Sequence, residues 1–300
     1  MVTYGFSGHE TFTLRHGWLK KGIDGVLNQA HFFSGDDAMV KLGVGKNMVR
    51  SIRHWCLATG VINVAPHSSG ALIPTDFGER VFANDGLDPF LEDFGTLWLL
   101  HWHLATNATH SATWYWMFSH CNHSEITKEG ILSEMHPWIE RYGKKLVSDN
   151  TLMRDVDCFL RTYAGVRNPR SNFSEDLLDC PFVELRLVRE LDNSGTFQFE
   201  RGSRPTLSNQ VFLYCLGEFW LRNDRPDNIS VSKLLSEPGS PARIFHLEED
   251  ALTQRLELIE EQSNGAFVYD ETAGLRQLFK RGEINLSKWL QDCYIGVGKR

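Results

Sequence analysis

Three residues near the amino terminus have the side chains needed for chemistry on a phosphodiester. His9 and Glu10 are adjacent, and Arg15 follows five residues later. A histidine beside a carboxylate can act as a general base, and an arginine can hold a phosphate oxygen. Adjacent residues on an extended strand point to opposite faces, so both reach one site only if the chain turns. Helix capping and packing of the first helices are the alternative interpretation.

A second acidic group, Asp179 with Glu184 and Arg186, faintly resembles the carboxylates with which nucleases hold one or two divalent ions. Arginine stands there in place of the usual lysine, and the acids are close together in sequence. A surface hairpin is the alternative. The sequence leaves the metal ligands unknown, with Mg²⁺ or Mn²⁺ as the ions that nicking chemistry would use.

A histidine-rich stretch raises the separate question of a transition-metal site. Five histidines fall between positions 101 and 123, together with Cys121. The cluster His120-Cys121-Asn122-His123 lacks the separated ligand pairs that make zinc motifs specific. Buried histidines that hydrogen-bond within an aromatic core are the alternative.

A basic segment is the clearest binding feature. Residues 38–75 contain no acidic residue, although the 300-residue chain has 38 Asp and Glu and a formal net charge of −7. A basic patch on an acidic protein indicates a local contact with a polyanion, and double-stranded DNA is the predicted partner. The predicted DNA-contacting residues are Lys41, Lys46, Asn47, Arg50, Arg53, His54, His67 and Ser68.

The spacing of apolar residues predicts the elements that carry this basic face. Helices are predicted over 18–30 and 36–42, and a third begins at Lys46 after Gly43-Val44-Gly45. Short strands at 61–64 and 71–74 form a hairpin with His67 and Ser68 at its tip. This order predicts a winged helix-turn-helix DNA-binding module over residues 1–85, with the third helix in the major groove. A module used only for packing or protein contact is the alternative.

The rest of the chain predicts a mainly α protein. Residues 94–124 hold no Asp, Glu, Lys or Arg but contain four tryptophans, so two buried helices are expected. They belong to an all-helical middle over 86–205, with a short hairpin near its end. Residues 206–300 repeat the first plan with short β-hairpins and an acidic long helix near 248–262. This unit is predicted to be a second winged-helix-like module for protein contact, with a homodimer as one option.

Composition indicates a cytoplasmic protein. The six cysteines lie far apart with no Cys-x-x-Cys pair, which is typical of buried thiols in a reducing compartment. The first residues lack a basic and apolar leader, and no apolar run reaches the roughly 18 residues that a spanning helix needs. No membrane contact is expected.

Several sequence blocks spread over the chain carry a family resemblance: Phe6-Ser7-Gly8-His9-Glu10-Thr11-Phe12, Leu14-Arg15-His16-Gly17-Trp18-Leu19-Lys20-Lys21, Leu42-Gly43-Val44-Gly45-Lys46-Asn47-Met48-Val49, Asp88-Pro89-Phe90-Leu91-Glu92-Asp93, Gly95-Thr96-Leu97-Trp98-Leu99-Leu100-His101-Trp102, Glu237-Pro238-Gly239-Ser240-Pro241 and Ala273-Gly274-Leu275-Arg276-Gln277-Leu278. In these blocks the chain resembles a bacterial domain-of-unknown-function family associated with DNA phosphorothioation, which includes the SspB-type DNA nickases.

The resemblance implies a function in anti-phage DNA modification. It implies an endonuclease that nicks one strand so that sulfur can replace a non-bridging phosphate oxygen. The implied partners are a cysteine desulfurase, an ATP pyrophosphatase and an ATPase of the same system. The residues themselves favour DNA binding over catalysis, since the basic helix is clear and no nuclease motif is. A non-catalytic adaptor or transcriptional regulator that recruits sulfur-transfer enzymes is the alternative.

Overall fold

The structure, a computed structural model, describes residues 3–35, 37–165, 180–192, 194–222 and 226–295. Helices form most of the regular structure, and three small antiparallel sheets accompany them. The prediction of a mainly α protein is confirmed.

The amino-terminal elements follow in the predicted order. Helices α1 (Trp18–Asn28), α2 (Ala38–Leu42) and α3 (Lys46–Ala58) precede a two-stranded hairpin and helix α4 (Asp76–Phe82). The hairpin consists of β1 (Ile62–Val64) and β2 (Leu72–Pro74). Helix α2 ends at Gly43, whose φ of 69° lies in the left-handed region that glycine adopts most readily.

The middle of the chain contains the two predicted apolar helices, α5 (Phe94–Thr106) and α6 (Ala112–Ser119), followed by α7 (Lys128–Tyr142) and α8 (Asp149–Ala164). The prediction of an all-helical middle is wrong in one respect. Strand β3 (Glu125–Thr127) joins the predicted hairpin of β4 (Val188–Leu191) and β5 (Thr196–Phe199) to form a sheet of order β3-β5-β4. A polar three-residue strand that pairs with residues 70 positions away gives no local sequence signal.

The carboxy-terminal part is built around helix α9 (Asn209–Leu221) and a second three-stranded sheet. Its remaining elements are β6 (Asn228–Ser230), α10 (Val231–Ser236), α11 (Pro241–Ile244), α12 (Glu249–Glu257), α13 (Ile259–Gln262), β7 (Phe267–Thr272), β8 (Leu275–Lys280) and α14 (Leu286–Asp292). The sheet order is β6-β8-β7. Strand β8 lies at the centre of this sheet, and β6 and β7 form its two edges.

One hydrophobic core extends from Leu14 to Cys293, so the three predicted units pack against each other. Helices α5 and α6 lie inside it, and Trp98, Trp102 and Trp114 are at most 1% exposed. All six cysteines are buried, and none forms a disulfide among the described residues. Among the described residues, no helix combines the length and the apolar character needed to cross a bilayer.

Candidate functional site

The first predicted catalytic residue, His9, lies inside the protein. Its side chain is buried, and its Nε2 atom is 2.9 Å from Oδ1 of Asp155 on α8. The backbone N–H of Thr11 donates to the His9 Nδ1 atom at 3.0 Å. A ring nitrogen that accepts a hydrogen bond carries no proton, so the proton of His9 lies on Nε2 and is donated to Asp155.

Asp155 is the centre of a buried hydrogen-bond network. Its carboxylate accepts from the Ser7 backbone N–H at 2.7 Å and from the Thr113 hydroxyl at 3.0 Å, in addition to His9. Burial lowers the pKa of His9, but Cys158 and the hydrogen-bonded Asp155 raise it by more, so the net direction is upward. The hydrogen bond from Thr11 acts against this upward shift, because a second proton on Nδ1 would break it.

The segment around His9, residues 6–12, forms a strained loop that we call the opening loop. Ser7, Glu10 and Thr11 have φ angles of 55°, 49° and 67°, which non-glycine residues rarely adopt. Trp55 of α3 donates its indole N–H to the Phe12 carbonyl at 3.1 Å, and Arg161 of α8 donates to the Thr11 carbonyl at 2.6 Å. The opening loop thus connects α3 to α8, and such strain is commonly found at functional sites.

The other two predicted catalytic residues point away from His9. Glu10 reaches the surface, where its Oε1 lies 3.5 Å from Nη1 of Arg50 on α3. Arg15 is half-buried, with its guanidinium 5.8 Å from the centre of the Trp18 ring. The structure therefore does not bring the three side chains to one point. The chain does turn at the opening loop, but His9 faces inward to Asp155 and Glu10 faces outward to Arg50.

The outer side of α3 carries the predicted basic face. Lys46, Asn47 and Arg50 are exposed, Arg53 is half-buried, and α3 contains no acidic residue. Nearby, Lys41 is exposed and pairs with Asp37 at 2.5 Å. The turn between β1 and β2 presents His67 and Ser68 to solvent. These residues form one exposed region of α2, α3 and the hairpin.

The prediction that His54 lies on this face is wrong. The residue is only 8% exposed, and its ring centre is 5.7 Å from that of His9. The opening loop covers it closely, since a Cβ atom on Gly8 would lie 2.3 Å from the His54 Nδ1 atom. Burial lowers the pKa of His54 well below 6.5, so the ring is neutral.

A divalent ion has no complete protein site here. Among the described residues, no group of three or more His, Cys, Asp or Glu is arranged to hold a metal. Glu10 and Asp37 offer carboxylates beside the basic face, where they pair with Arg50 and Lys41, and Mg²⁺ is commonly held by one or two carboxylates together with substrate phosphates. Asp179 lies outside the described residues. The other two members of that acidic group, Glu184 and Arg186, line a cavity away from the opening loop. In the histidine-rich stretch, His123 pairs with Glu134 at 2.5 Å.

Sequence reasoning missed Asp155 and Thr113, which hold the opening loop in place. Asp155 is 146 positions from His9, and nothing in the local pattern of α8 distinguishes it from a surface acid. Its only signal is its place on the apolar side of α8, between the buried residues Leu152 and Phe159. Arg161, also on α8, donates from its guanidinium to the Thr11 carbonyl.

This chain combines a mainly helical fold with an exposed basic helix beside a hairpin. The model of a family described as "Protein of unknown function (DUF4007)" matches residues 6–294, and the chain belongs to this family. No curated protein matches it.

Two crystal structures of SspB are similar to the chain. One, described as magnesium ion-bound, has a TM-score of 0.87 and 31% sequence identity, and the match covers 99% of this chain and 89% of that one. The other has a TM-score of 0.86 and 30% identity over the same shares. The sequence-based assignment to a family that includes SspB-type proteins is confirmed.

Proposed function

We propose that the protein is the DNA-binding component of a bacterial DNA phosphorothioate modification system and that it nicks one strand of the duplex. The observation that carries the binding part is the acid-free outer face of α3, where Lys46, Asn47 and Arg50 are exposed together. Similarity to SspB over nearly the whole chain supports the assignment to a phosphorothioate modification system. In this proposal α3 enters the major groove, and the hairpin turn contacts the backbone as a wing.

The opening loop is the proposed site on the protein at which the DNA strand is nicked. Glu10 lies beside the basic face through its pair with Arg50, and it is part of a strained backbone segment. Glu10 would orient water or share a divalent ion with a DNA phosphate, and Arg15 would lie alongside. His9 holds the loop from inside through Asp155. The magnesium-bound SspB structure makes Mg²⁺, with Mn²⁺ as a substitute, the ion to test.

Reversing two charges on α3 is expected to abolish specific and non-specific DNA binding. The variant Lys46→Glu with Arg50→Glu should lower duplex affinity at least about 100-fold and reduce the slope of log affinity against log salt by about two, since two phosphate contacts are lost. The measurement is a gel-shift titration at several salt concentrations. Lys233→Glu with Lys288→Glu, a matched change at two exposed lysines of the carboxy-terminal part, is the control. Equal affinities for the two variants would remove α3 from the interface.

Nicking is tested on supercoiled plasmid with magnesium, manganese or chelator, by conversion to open circles on a gel. We expect metal-dependent nicking that falls at least about 100-fold in Glu10→Gln, the scale for loss of a positioned acid or base. Duplex binding should remain, because the change removes a negative charge beside Arg50. Glu140→Gln, at an exposed acid of α7, should nick normally.

Partner dependence separates this proposal from its alternative. A cysteine desulfurase, an ATP pyrophosphatase and an ATPase are the proposed partners, and the acidic α12 is the proposed contact for them or for a second copy of the chain. If the protein binds duplex but does not nick it, alone or with these partners added, the function is that of a non-catalytic adaptor.

A further inference from the structure

A cavity lies apart from the opening loop and the basic face of α3. Its volume is about 400 Å³, within the range of small-molecule sites. It is bounded by the first turns of α5, the residues just before β4, and the loop from 202 to 206. Its lining includes Phe94, Trp98, Glu184, Arg186, Ser203 and Arg204.

The innermost charge of the cavity is Arg204, which is 8% exposed. Its guanidinium donates to the carbonyl oxygens of Phe245 at 2.9 Å and of Arg186 at 3.2 Å, and also to that of Glu200. No described carboxylate forms an ion pair with it, and Glu200 and Glu248 act on it only over longer distances. Carbonyls satisfy the hydrogen bonds of a guanidinium but leave its charge unneutralised, and buried charges are normally paired.

A second buried guanidinium supports the same loop. Arg255 of α12 is 9% exposed and donates to Asn209 Oδ1 at 2.6 Å and to the carbonyls of Ser203 and Arg204 at 3.0 and 3.2 Å. Its Nε atom has no partner among the described residues. Two buried cations therefore meet at this loop, Arg204 within it and Arg255 against it, and no described acid pairs with either, which makes the region attractive to an anion.

The backbone around the cavity is held in costly conformations. Arg186 and Arg204 have φ angles of 50° and 53°, both in the left-handed region. Non-glycine residues persist there only when the surrounding structure fixes them, and such residues cluster at ligand sites. Arg186 is exposed, which places a second guanidinium at the rim.

The other walls indicate what accompanies the anion. Phe94 is 40% exposed and offers an aromatic face, whereas Trp98 is fixed by the hydrogen bond from its indole N–H to Thr206 Oγ1 at 3.1 Å. Glu184 is exposed on the wall and would repel a simple anion, but it can accept hydrogen bonds from amino or hydroxyl groups. The walls therefore suit a ligand with a phosphate at one end and an aromatic, donor-bearing group at the other.

We infer that this cavity binds one nucleotide unit, with its phosphate at Arg186 and Arg204, its base against Phe94 and a donor group at Glu184. The unit is either a free mononucleotide or one nucleotide of a DNA strand. This site is separate from the proposed duplex contact on α3.

Calorimetric titration with three probes tests the site: deoxyadenosine monophosphate, inorganic phosphate and a 5′-phosphorylated single-stranded oligonucleotide. We expect mononucleotide binding at about 1 mM or tighter and a loss of at least about tenfold in Arg186→Gln, which keeps a Cβ atom at the strained position. Arg189→Gln, at an exposed arginine of β4, should bind normally. Phe94→Ala should weaken the mononucleotide at least about fivefold, because base stacking is lost.

If the oligonucleotide binds tightly and this binding depends on Arg186, the cavity holds one nucleotide of a DNA strand. If the mononucleotide binds more tightly than the oligonucleotide, the cavity holds a free ligand. Phosphate binding as strong as nucleotide binding, equal losses in Arg186→Gln and Arg189→Gln, or no binding of any probe would overturn the inference. Duplex affinity by gel shift should be unchanged in Arg186→Gln. The Lys46→Glu, Arg50→Glu variant should retain the cavity's ligand, so the two proposals fail independently.

Discussion

Lowering the pH from 7 to 5 is expected to reduce the folding stability of this protein steeply. Three histidines are enclosed in the core as neutral rings, His54, His101 and His246, and the half-buried His103 is neutral as well. Burial lowers the pKa of each, and that of His101 falls to about 3. The unfolded chain, with histidine pKa values near 6.5, takes up protons that the folded chain cannot.

The direction of the effect follows from these shifts. Because the folded pKa values lie below 6.5, the stability that these rings contribute is complete above pH 6.5 and is lost as the pH falls further. Each ring that stays neutral contributes a slope of up to about 1.4 kcal/mol per pH unit below pH 6.5, so the free energy of unfolding falls steeply toward pH 5. His9, whose pKa is raised, does not compensate, since its contribution is already complete below 6.5.

His246 offers the sharpest test of this prediction. Its ring stacks on Phe199 with centres 4.6 Å apart, and neither ring nitrogen has a hydrogen-bond partner among the described residues. His246→Phe keeps the ring shape and removes the titration. We expect it to reduce the acid-induced loss of unfolding free energy by up to about 1.4 kcal/mol per pH unit, with little loss of stability at pH 7.5.

The measurement is urea unfolding at pH 7.5, 6.5 and 5.5. His16→Phe, at an exposed histidine, is the control and should leave the pH dependence unchanged. A pH profile of His246→Phe that is parallel to that of the unmodified protein would show that His246 titrates normally in the folded state.

These histidines illustrate what the sequence could predict about the fold. The charge-free stretch 94–124 predicted buried helices, and His101 is indeed buried there because no charged residue competes for solvent. The helix, turn and hairpin elements of the first 85 residues were likewise predictable, since glycine breaks and apolar spacing are local signals. The remaining features depend on contacts between residues far apart in the sequence, and local patterns do not predict such contacts.

The position of His54 could not be predicted for that reason. The helical spacing of α3 places it near Lys46 and Arg50, and an isolated helix would expose it. The opening loop, more than 40 positions earlier in the chain, covers that part of α3 instead. The same limit applies to the candidate site, because its anchor on α8 is distant in sequence. Local spacing identified the opening loop's unusual residues but gave no indication that His9 faces inward and Glu10 outward.

Removal of the Asp155 carboxylate is expected to cost about 3–5 kcal/mol of unfolding free energy, the usual cost of deleting one member of a buried polar pair. In Asp155→Ala three donors lose their acceptor inside the core: the His9 Nε2–H, the Ser7 N–H and the Thr113 hydroxyl. The strained opening loop would then lack its main attachment to α8. Urea unfolding at pH 7.5 measures the loss.

Asp157→Ala is the matched control, two positions away on the same helix. Its carboxylate is 40% exposed and pairs with Lys128, so its loss should cost less than about 1 kcal/mol. A double-mutant cycle with His9→Phe should give a coupling energy of about 1–3 kcal/mol between His9 and Asp155, because the two side chains share one hydrogen bond. A coupling energy near zero would mean that His9 does not hold the loop. The case for a chemical role of His9 would then reopen, since a ring without a structural partner is free to move toward the DNA.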